Sequence, residues 1–221
     1  MNMSSIIDDP ANNDNRNYHY GEDFYDRHEF STIKEWTMNN SKIIDLGCGN
    51  GALMNYLKKT TSDIIGIEIS PSGVEQCLKN GLKTICAAID NQLTYTSYLD
   101  NQFDYAICNV TMQMVDYPEV LIQEMKRISK YQIISFPNFA YLENRLDLLF
   151  NGVMPRKMLY GYKWYSTGHI HQFSIVDFKN FCKENGIEII KRRDYGCFSF
   201  VSQFFWPNLL SKESMFLCKK I

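Results

Sequence analysis

The sequence predicts a doubly wound α/β sheet that ends in an antiparallel strand pair. Three observations point to it. From residue 42 to residue 137, short apolar runs alternate with segments of helical period. A glycine-rich turn, "DLGCGNG", joins the first run to the first such segment. The two last strand-like runs, "IEIIKRRDYG" and "ESMFLCKKI", have no helical pattern between them. Continuous Ile/Val/Leu/Tyr runs belong to strands covered on both faces, and their alternation with helices indicates parallel βαβ units. A connection without a helix more often makes an antiparallel pair.

The elements follow in order. Residues 1–17, "MNMSSIIDDPANNDNRN", are rich in Asn and Asp and nearly free of large apolar groups, so they are expected to form a disordered tail, with one domain over 18–221. In "FYDRHEFSTIKEW", Phe30, Ile33 and Trp36 recur at helical spacing and predict a helix packed on the domain. "KIIDL" reads as strand, "NGALMNYLKK" as helix, "DIIGIEIS" as strand, and "PSGVEQCLKNG" as a helix opened by Pro and closed by Gly. "LKTICA" and "QFDYAICNV" read as strands, "YPEVLIQEMKRISK" as helix and "YQIISF" as strand. "AYLENRLDLLF" looks helical, and "NGVMPRKMLYGYKWYSTGHIHQF" is a loop rich in aromatics. "SIVDFKNFCKENG" is a helix with Ser174 as cap, Asp177 three residues later and Gly186 as stop.

Composition excludes several classes. The 221 residues, 45% hydrophobic and 22% charged, suffice for one well-filled core. A net charge of −2 and a pI near 6.1 argue against a nucleic-acid partner, and Lys191-Arg192-Arg193 is explained by a solvated strand end. Nothing approaches the about 20 apolar residues of a membrane span, and the N-terminus lacks signal-peptide character, so a cytoplasmic protein is expected. The seven cysteines form no C-x-x-C pair, and reduced cysteines in apolar contexts behave as small hydrophobes, so neither disulfides nor a metal site is expected.

The glycine turn carries the chemistry. In open α/β sheets the first βα turn lies where ligands bind, and Gly47, Gly49 and Gly51 let the backbone come close to one. Gly47, Gly49 and Ala52 also satisfy the dinucleotide pattern G-x-G-x-x-G/A. Asp45 speaks against a dinucleotide, because a carboxylate two residues before Gly47 repels a pyrophosphate but fixes a cationic amino group. The final strand pair is likewise foreign to the two-mononucleotide design.

Asp45-Leu46-Gly47-Cys48-Gly49-Asn50-Gly51 matches every fixed position of D/E-x-G-x-G-x-G. With its strand before and helix after, it resembles the first motif of class I S-adenosylmethionine-dependent methyltransferases. The resemblance implies a Rossmann-like sheet of seven strands, order 3-2-1-4-5-7-6, with the last antiparallel. It also implies S-adenosylmethionine, or S-adenosylhomocysteine as product, bound by Asp45, Gly47, Cys48, Gly49, Gly51, Glu68, Ile69, Asp90 and Asn109. Glu68, ending the second strand, stands where the family carboxylate accepts both ribose hydroxyls. At the adenine position stands Ala88, and Asp90 either takes over that contact or starts the loop.

"IIDLGCGNGALM", "GIEIS", "NVTMQMVDYPEVLIQEMKRISKYQIISFPNFAY", "WYSTGHIHQFSIVDFKNFC" and "WPNLLSKESMFLCKK" narrow the resemblance to the MetW family of methionine biosynthesis proteins, over roughly residues 27 to 220. The most specific parts are Ser135-Phe136-Pro137-Asn138-Phe139 and Trp164-Tyr165-x-Thr167-x-x-Ile170-His171. The resemblance implies a partner, homoserine O-acyltransferase of the MetX type, and no established methyl acceptor. The chain departs from the family at His169, where Asn is usual, and at Val110, where Gln is usual.

Methyl transfer from a sulfonium needs alignment more than acid-base help. The chain lacks N/D-P-P-Y after the fourth strand and carries Asn109-Val110-Thr111-Met112-Gln113, whose polar side chains are candidates for lining a pocket. His169 and His171 share one side of an extended segment but are too few for a metal. His171 is the candidate catalytic base or acceptor-orienting group, against a structural hydrogen-bonding role. Tyr160, Tyr162, Trp164 and Tyr165 suit a lid, an interface or packing on the sheet. "CFSFVSQFFWPNLL" is a partner surface if exposed. Two activities stay open: a methyltransferase for a small molecule, and an accessory subunit that senses S-adenosylmethionine while docked on the acyltransferase.

Overall fold

The computed structural model describes residues 27–155, 164, 167–196, 201 and 204–221. The expected tail at 1–17 and its boundary at 18 lie outside the described residues, as do Tyr160, Tyr162 and Tyr165 of the aromatic loop.

Helix α1 (His28–Trp36) precedes β1 (Ile43–Leu46), α2 (Ala52–Leu57), β2 (Ile64–Glu68), α3 (Pro71–Lys79) and β3 (Lys83–Cys86). Strand β4 (Phe103–Asn109), α4 (Pro118–Ile128), β5 (Ser129–Pro137) and α5 (Leu142–Leu146) follow, and then α6 (Ile175–Glu184), β6 (Ile187–Tyr195), α7 (Pro207–Leu210) and β7 (Glu213–Lys220). The seven strands lie in the order β3-β2-β1-β4-β5-β7-β6, the order expected. Strands β1 to β5 pair parallel, and β7 runs antiparallel to both β5 and β6.

Side-chain alternation sends neighbouring residues to opposite faces of the sheet. Ile44, Ala106, Ile134, Phe136 and Phe216 join α4 and α6 in one core, where Phe136 stacks on Phe216 at 5.7 Å and Phe178 of α6 lies 4.8 Å from the same ring. Ile43, Ile107, Ile133 and Leu217 join α1, α2 and α3 in the other. Phe30, Ile33 and Trp36 of α1 are buried as their spacing predicts. Arg193 of β6 fastens the helix, reaching Glu35 through two hydrogen bonds of 2.8 and 3.0 Å.

Four details correct the sequence reading. Strand β3 is largely exposed, because it is a sheet edge and not a strand covered on both faces. Helix α4 stops at Ile128, since Ser129 already pairs with Phe103 while its hydroxyl donates to Met125 O at 2.7 Å. Helix α5 passes into a π-helical turn over Asp147–Asn151 that Gly152 ends at φ +60°. The connection from β6 to β7 is not free of helix, because it contains α7, although the pairing is antiparallel as expected. No helix among the described residues is long and apolar enough to cross a membrane.

Candidate binding site

The carboxyl ends of β1, β2 and β4 meet at the middle of the sheet, where open α/β folds bind ligands. A cleft of about 300 Å³ opens there. The turn after β1 supplies Gly47, Cys48, Gly49 and Asn50, the end of β2 supplies Glu68 and Ile69, and residues 87–90 and 109–111 form the remaining rim. Arg27, just before α1, and Phe30 of α1 add a wall, and Met114 and Val115 complete the lining.

Asp45 lines the cleft at 2% exposure, and its Oδ2 has no hydrogen-bond partner. Burial first, and then the nearby Cys77 and Glu68, push its carboxyl up to about 8. A buried carboxylate in that state is a receptor for a cation, because an opposite charge nearby favours its ionised form.

Gly47 adopts φ +77°, and a Cβ on it would overlap the Thr111 side chain, so the close approach of the two loops requires glycine. Gly51 adopts φ +85° as the residue before α2. A Cβ there would run into Leu82 and Cys77, and Gly51 is not among the residues that line the cleft.

The other expected residues stand at the rim, tied to backbone. Glu68 is 4% exposed, with Oε2 accepting the Gly49 N–H at 2.8 Å and Oε1 the Ser70 N–H at 2.9 Å. It clamps the glycine turn to the end of β2. Asp90 Oδ2 accepts the N–H groups of Asp116 and Tyr117, at 2.7 and 3.1 Å, and so anchors the entry to α4 while it lines the cleft beside Ala88. Asn109 Oδ1 accepts the Ser135 hydroxyl at 2.6 Å.

After β4, Val110 and Thr111 face the cleft, but Gln113 does not. Val110 has φ +53°, strained for a β-branched residue, and is pinned on both sides. Its N–H donates to Ser135, and its carbonyl accepts the Gln113 side-chain amide at 2.8 Å.

The candidate base His171 is not brought to the cleft. With Met112, Pro118, Phe173, Phe178 and Phe181 it lines a second cavity of about 420 Å³, while Met114 of the same short turn lines the first. Its N–H and that of Ile170 both donate to Gln113 O, at 3.0 Å each, so this segment is not a regular strand. His169 is 8% exposed, and burial pushes its imidazole down to about 4, which keeps it neutral.

Among the described residues, His28, Glu29 and Glu213 bring ligand-type atoms within 4.8 Å of one another. Each is engaged within the fold: Arg27 lies 2.7 Å from Glu29, and His28 Nε2 lies 3.0 Å from Glu213. The group holds α1 to β7 and thereby sets the wall made by Arg27 and Phe30. Those two wall residues carry no signal in the sequence beyond their place on a helix.

A family model described as methionine biosynthesis protein MetW matches residues 27–218. The chain belongs to the MetW family. The bifunctional methionine biosynthesis protein MetXA/MetW of Rhodopirellula baltica is 30% identical over 159 residues, which are 67% of this chain and 25% of that protein. This chain therefore spans about a quarter of the length of that relative. The ubiquinone biosynthesis O-methyltransferase of Methylococcus capsulatus is 28% identical over 93 residues, covering 40% of this chain and 39% of its own.

Solved structures share the fold. An S-adenosylmethionine-dependent methyltransferase of Thermotoga maritima, described as a possible histamine N-methyltransferase, superposes with a TM-score of 0.61 at 18% identity and 87% coverage of both chains. The magnesium protoporphyrin IX methyltransferase of Synechocystis PCC 6803 with bound S-adenosylhomocysteine gives 0.59 at 14% identity, covering 87% of this chain and 81% of its own. The [4+2]-cyclase SpnF gives 0.60 at 14% identity, over 86% and 80%. This chain thus has the Rossmann-like fold of class I methyltransferases.

Proposed function

We propose that the cleft binds S-adenosylmethionine or S-adenosylhomocysteine and that the protein serves cytoplasmic methionine biosynthesis as the partner of a homoserine O-acyltransferase of the MetX type. Asp45 carries the first part. Its buried, unpartnered oxygen calls for a cation, and both ligands offer an ammonium. Gly47, Cys48, Gly49, Glu68, Ile69, Asp90 and Asn109 surround the remaining space. Glu68 stands at the edge of that space, its carboxylate already holding the Gly49 and Ser70 N–H groups in place. Gly51 serves the site from behind by letting the chain turn into α2.

When bound, S-adenosylmethionine supplies an already activated methyl group on a sulfonium. The chain's own residues would bind and align it: Asp45 would fix the amino group and Glu68 the sugar, while Phe30, Val110, Met114 and Val115 give the cleft an apolar wall. The partner reading is supported by the Rhodopirellula relative, whose name joins MetXA and MetW in one chain. Acyltransferase activity measured with and without this protein, and with and without S-adenosylmethionine, tests it; an activity unchanged in every combination would refute the partnership.

The second reading, methyl transfer to a small molecule, is favoured by the likeness to ubiquinone biosynthesis O-methyltransferase. The cyclase among the structural relatives shows that the fold alone does not settle the reaction. Conversion of S-adenosylmethionine to S-adenosylhomocysteine in the presence of cell extract separates the two readings.

A further inference from the structure

Beneath the glycine turn two buried thiols meet. Cys48 lines the cleft at 7% exposure, while Cys77 on α3 is fully buried behind it. The sulfurs approach one carbonyl: Cys77 donates to Gly49 O at 3.4 Å, and Cys48 Sγ lies 3.9 Å from the same oxygen. The neighbouring Cys48 holds the Cys77 thiol below its ordinary value, while Cys77 and burial push the Cys48 thiol up. Cys48 sits between Gly47 at φ +77° and Gly49 at φ +57°, in the turn that Glu68 holds through the Gly49 N–H.

We propose that Cys48 and Cys77 form a reversible disulfide under peroxide and that this cross-link switches off ligand binding in the cleft. This regulation rests on the cofactor reading above. Peroxide entering the cleft meets the Cys48 thiol, which loses its proton as its sulfur attacks one peroxide oxygen and hydroxide leaves, giving a sulfenic acid. The Cys77 thiolate then attacks that sulfur, the S–S bond forms and a second hydroxide departs. The two thiols give up two electrons and two protons, and the peroxide becomes two waters. A dithiol reductant reverses the step by thiol–disulfide exchange.

The consequence for binding follows from the Gly49 peptide. Its N–H is held by Glu68 at 2.8 Å and its carbonyl faces both thiols. Cross-linking removes those S–H donors from a buried acceptor and draws Cys48 toward α3. The peptide must then reorient, and Glu68 and the cleft-facing turn move with it.

The test uses the full-length chain treated with hydrogen peroxide, quenched by alkylation and digested. A peptide carrying Cys48 joined to Cys77 is expected, and its formation slows when S-adenosylhomocysteine is present, because the ligand covers Cys48. Calorimetric affinity for S-adenosylhomocysteine is expected to fall by about tenfold or more in the linked form and to return with dithiothreitol. Cys77→Ala and Cys77→Ser are expected to give no linked peptide, and whatever affinity each retains is unchanged by peroxide. Oxidation of the exposed Cys86 with both buried thiols still alkylatable after unfolding would overturn the proposal, as would a linked form of unchanged affinity. If the reduced protein binds no S-adenosylhomocysteine, the cofactor reading fails, and the switch is then decided by the linked peptide alone.

Discussion

Glu68 and Gly49 are joined by a 2.8 Å hydrogen bond in which the buried carboxylate accepts the backbone N–H of the glycine turn. The same group is expected to hold the sugar of the ligand, so one side chain both shapes the turn and binds through it. Glu68→Ala leaves the N–H groups of Gly49 and Ser70 without this acceptor. Stability should fall by about 1–3 kcal/mol, and S-adenosylhomocysteine affinity by a comparable amount. Urea unfolding and calorimetry on the same preparation measure the two losses.

Asp45 makes stability depend on pH in an unusual direction. Its native value is about 8 against an ordinary 3.8, so between those limits the ligand-free native chain holds a proton that the unfolded chain has released. Stability from this group is complete at acid pH and declines as pH rises toward about 8. Asp45→Asn should abolish that decline and be the more stable protein at pH 8 by about 1–3 kcal/mol, while losing about tenfold or more in S-adenosylhomocysteine affinity. In the wild type, an ammonium that ionises Asp45 on binding releases up to about one proton at pH 7. Calorimetry in two buffers of different ionisation enthalpy counts it.

His169 has the opposite sign. Burial lowers it to about 4 from 6.5, so between these values the unfolded chain binds a proton that the native chain refuses, and stability is lost as pH falls through that window. His169→Asn places a neutral amide there, the residue usual in the family. It should cost less than about 1 kcal/mol at pH 7 and remove this part of the acid destabilisation. Thermal unfolding at pH 5 and pH 7 reads the difference.

Val110 depends on Gln113, whose side-chain amide holds the Val110 carbonyl while the residue sits at φ +53°. Gln113→Ala frees that carbonyl in the interior and should destabilise by about 1–3 kcal/mol. Val110→Asn suits the left-handed region better and should recover part of the loss in the double variant. A double-mutant cycle by urea unfolding gives the coupling.

Local chemistry was legible in the chain, and contacts between distant segments were not. Ser174 and Asp177 announce a capping box because both halves lie within one helical turn, and the structure has both. The strand order came with the family resemblance that the glycine motif carries, and the structure has it. Asp90 shows the limit: its carboxylate is held by the amides of Asp116 and Tyr117, and nothing near residue 90 foretells that. Spacing placed His169 and His171 side by side, whereas their segment folds onto Gln113 O and sends His171 to the second cavity. Arg27 and Phe30 reach the cleft only because α1 is tied to β6 and β7 by Glu35–Arg193 and His28–Glu213.

The place of β7 bears on how the chain is made. It comes last of the seven strands in chain order, yet it lies between β5 and β6 and pairs with Tyr131–Pro137 on one side and Ile187–Tyr195 on the other. Until it arrives, β6 has no neighbour in the sheet and β5 presents a bare hydrogen-bonding edge, the kind of surface that recruits other unfinished chains. Nascent copies are thus most vulnerable to co-aggregation after β6 and before Glu213–Lys220 has emerged, and a stalled chain released before Glu213 keeps that vulnerability permanently.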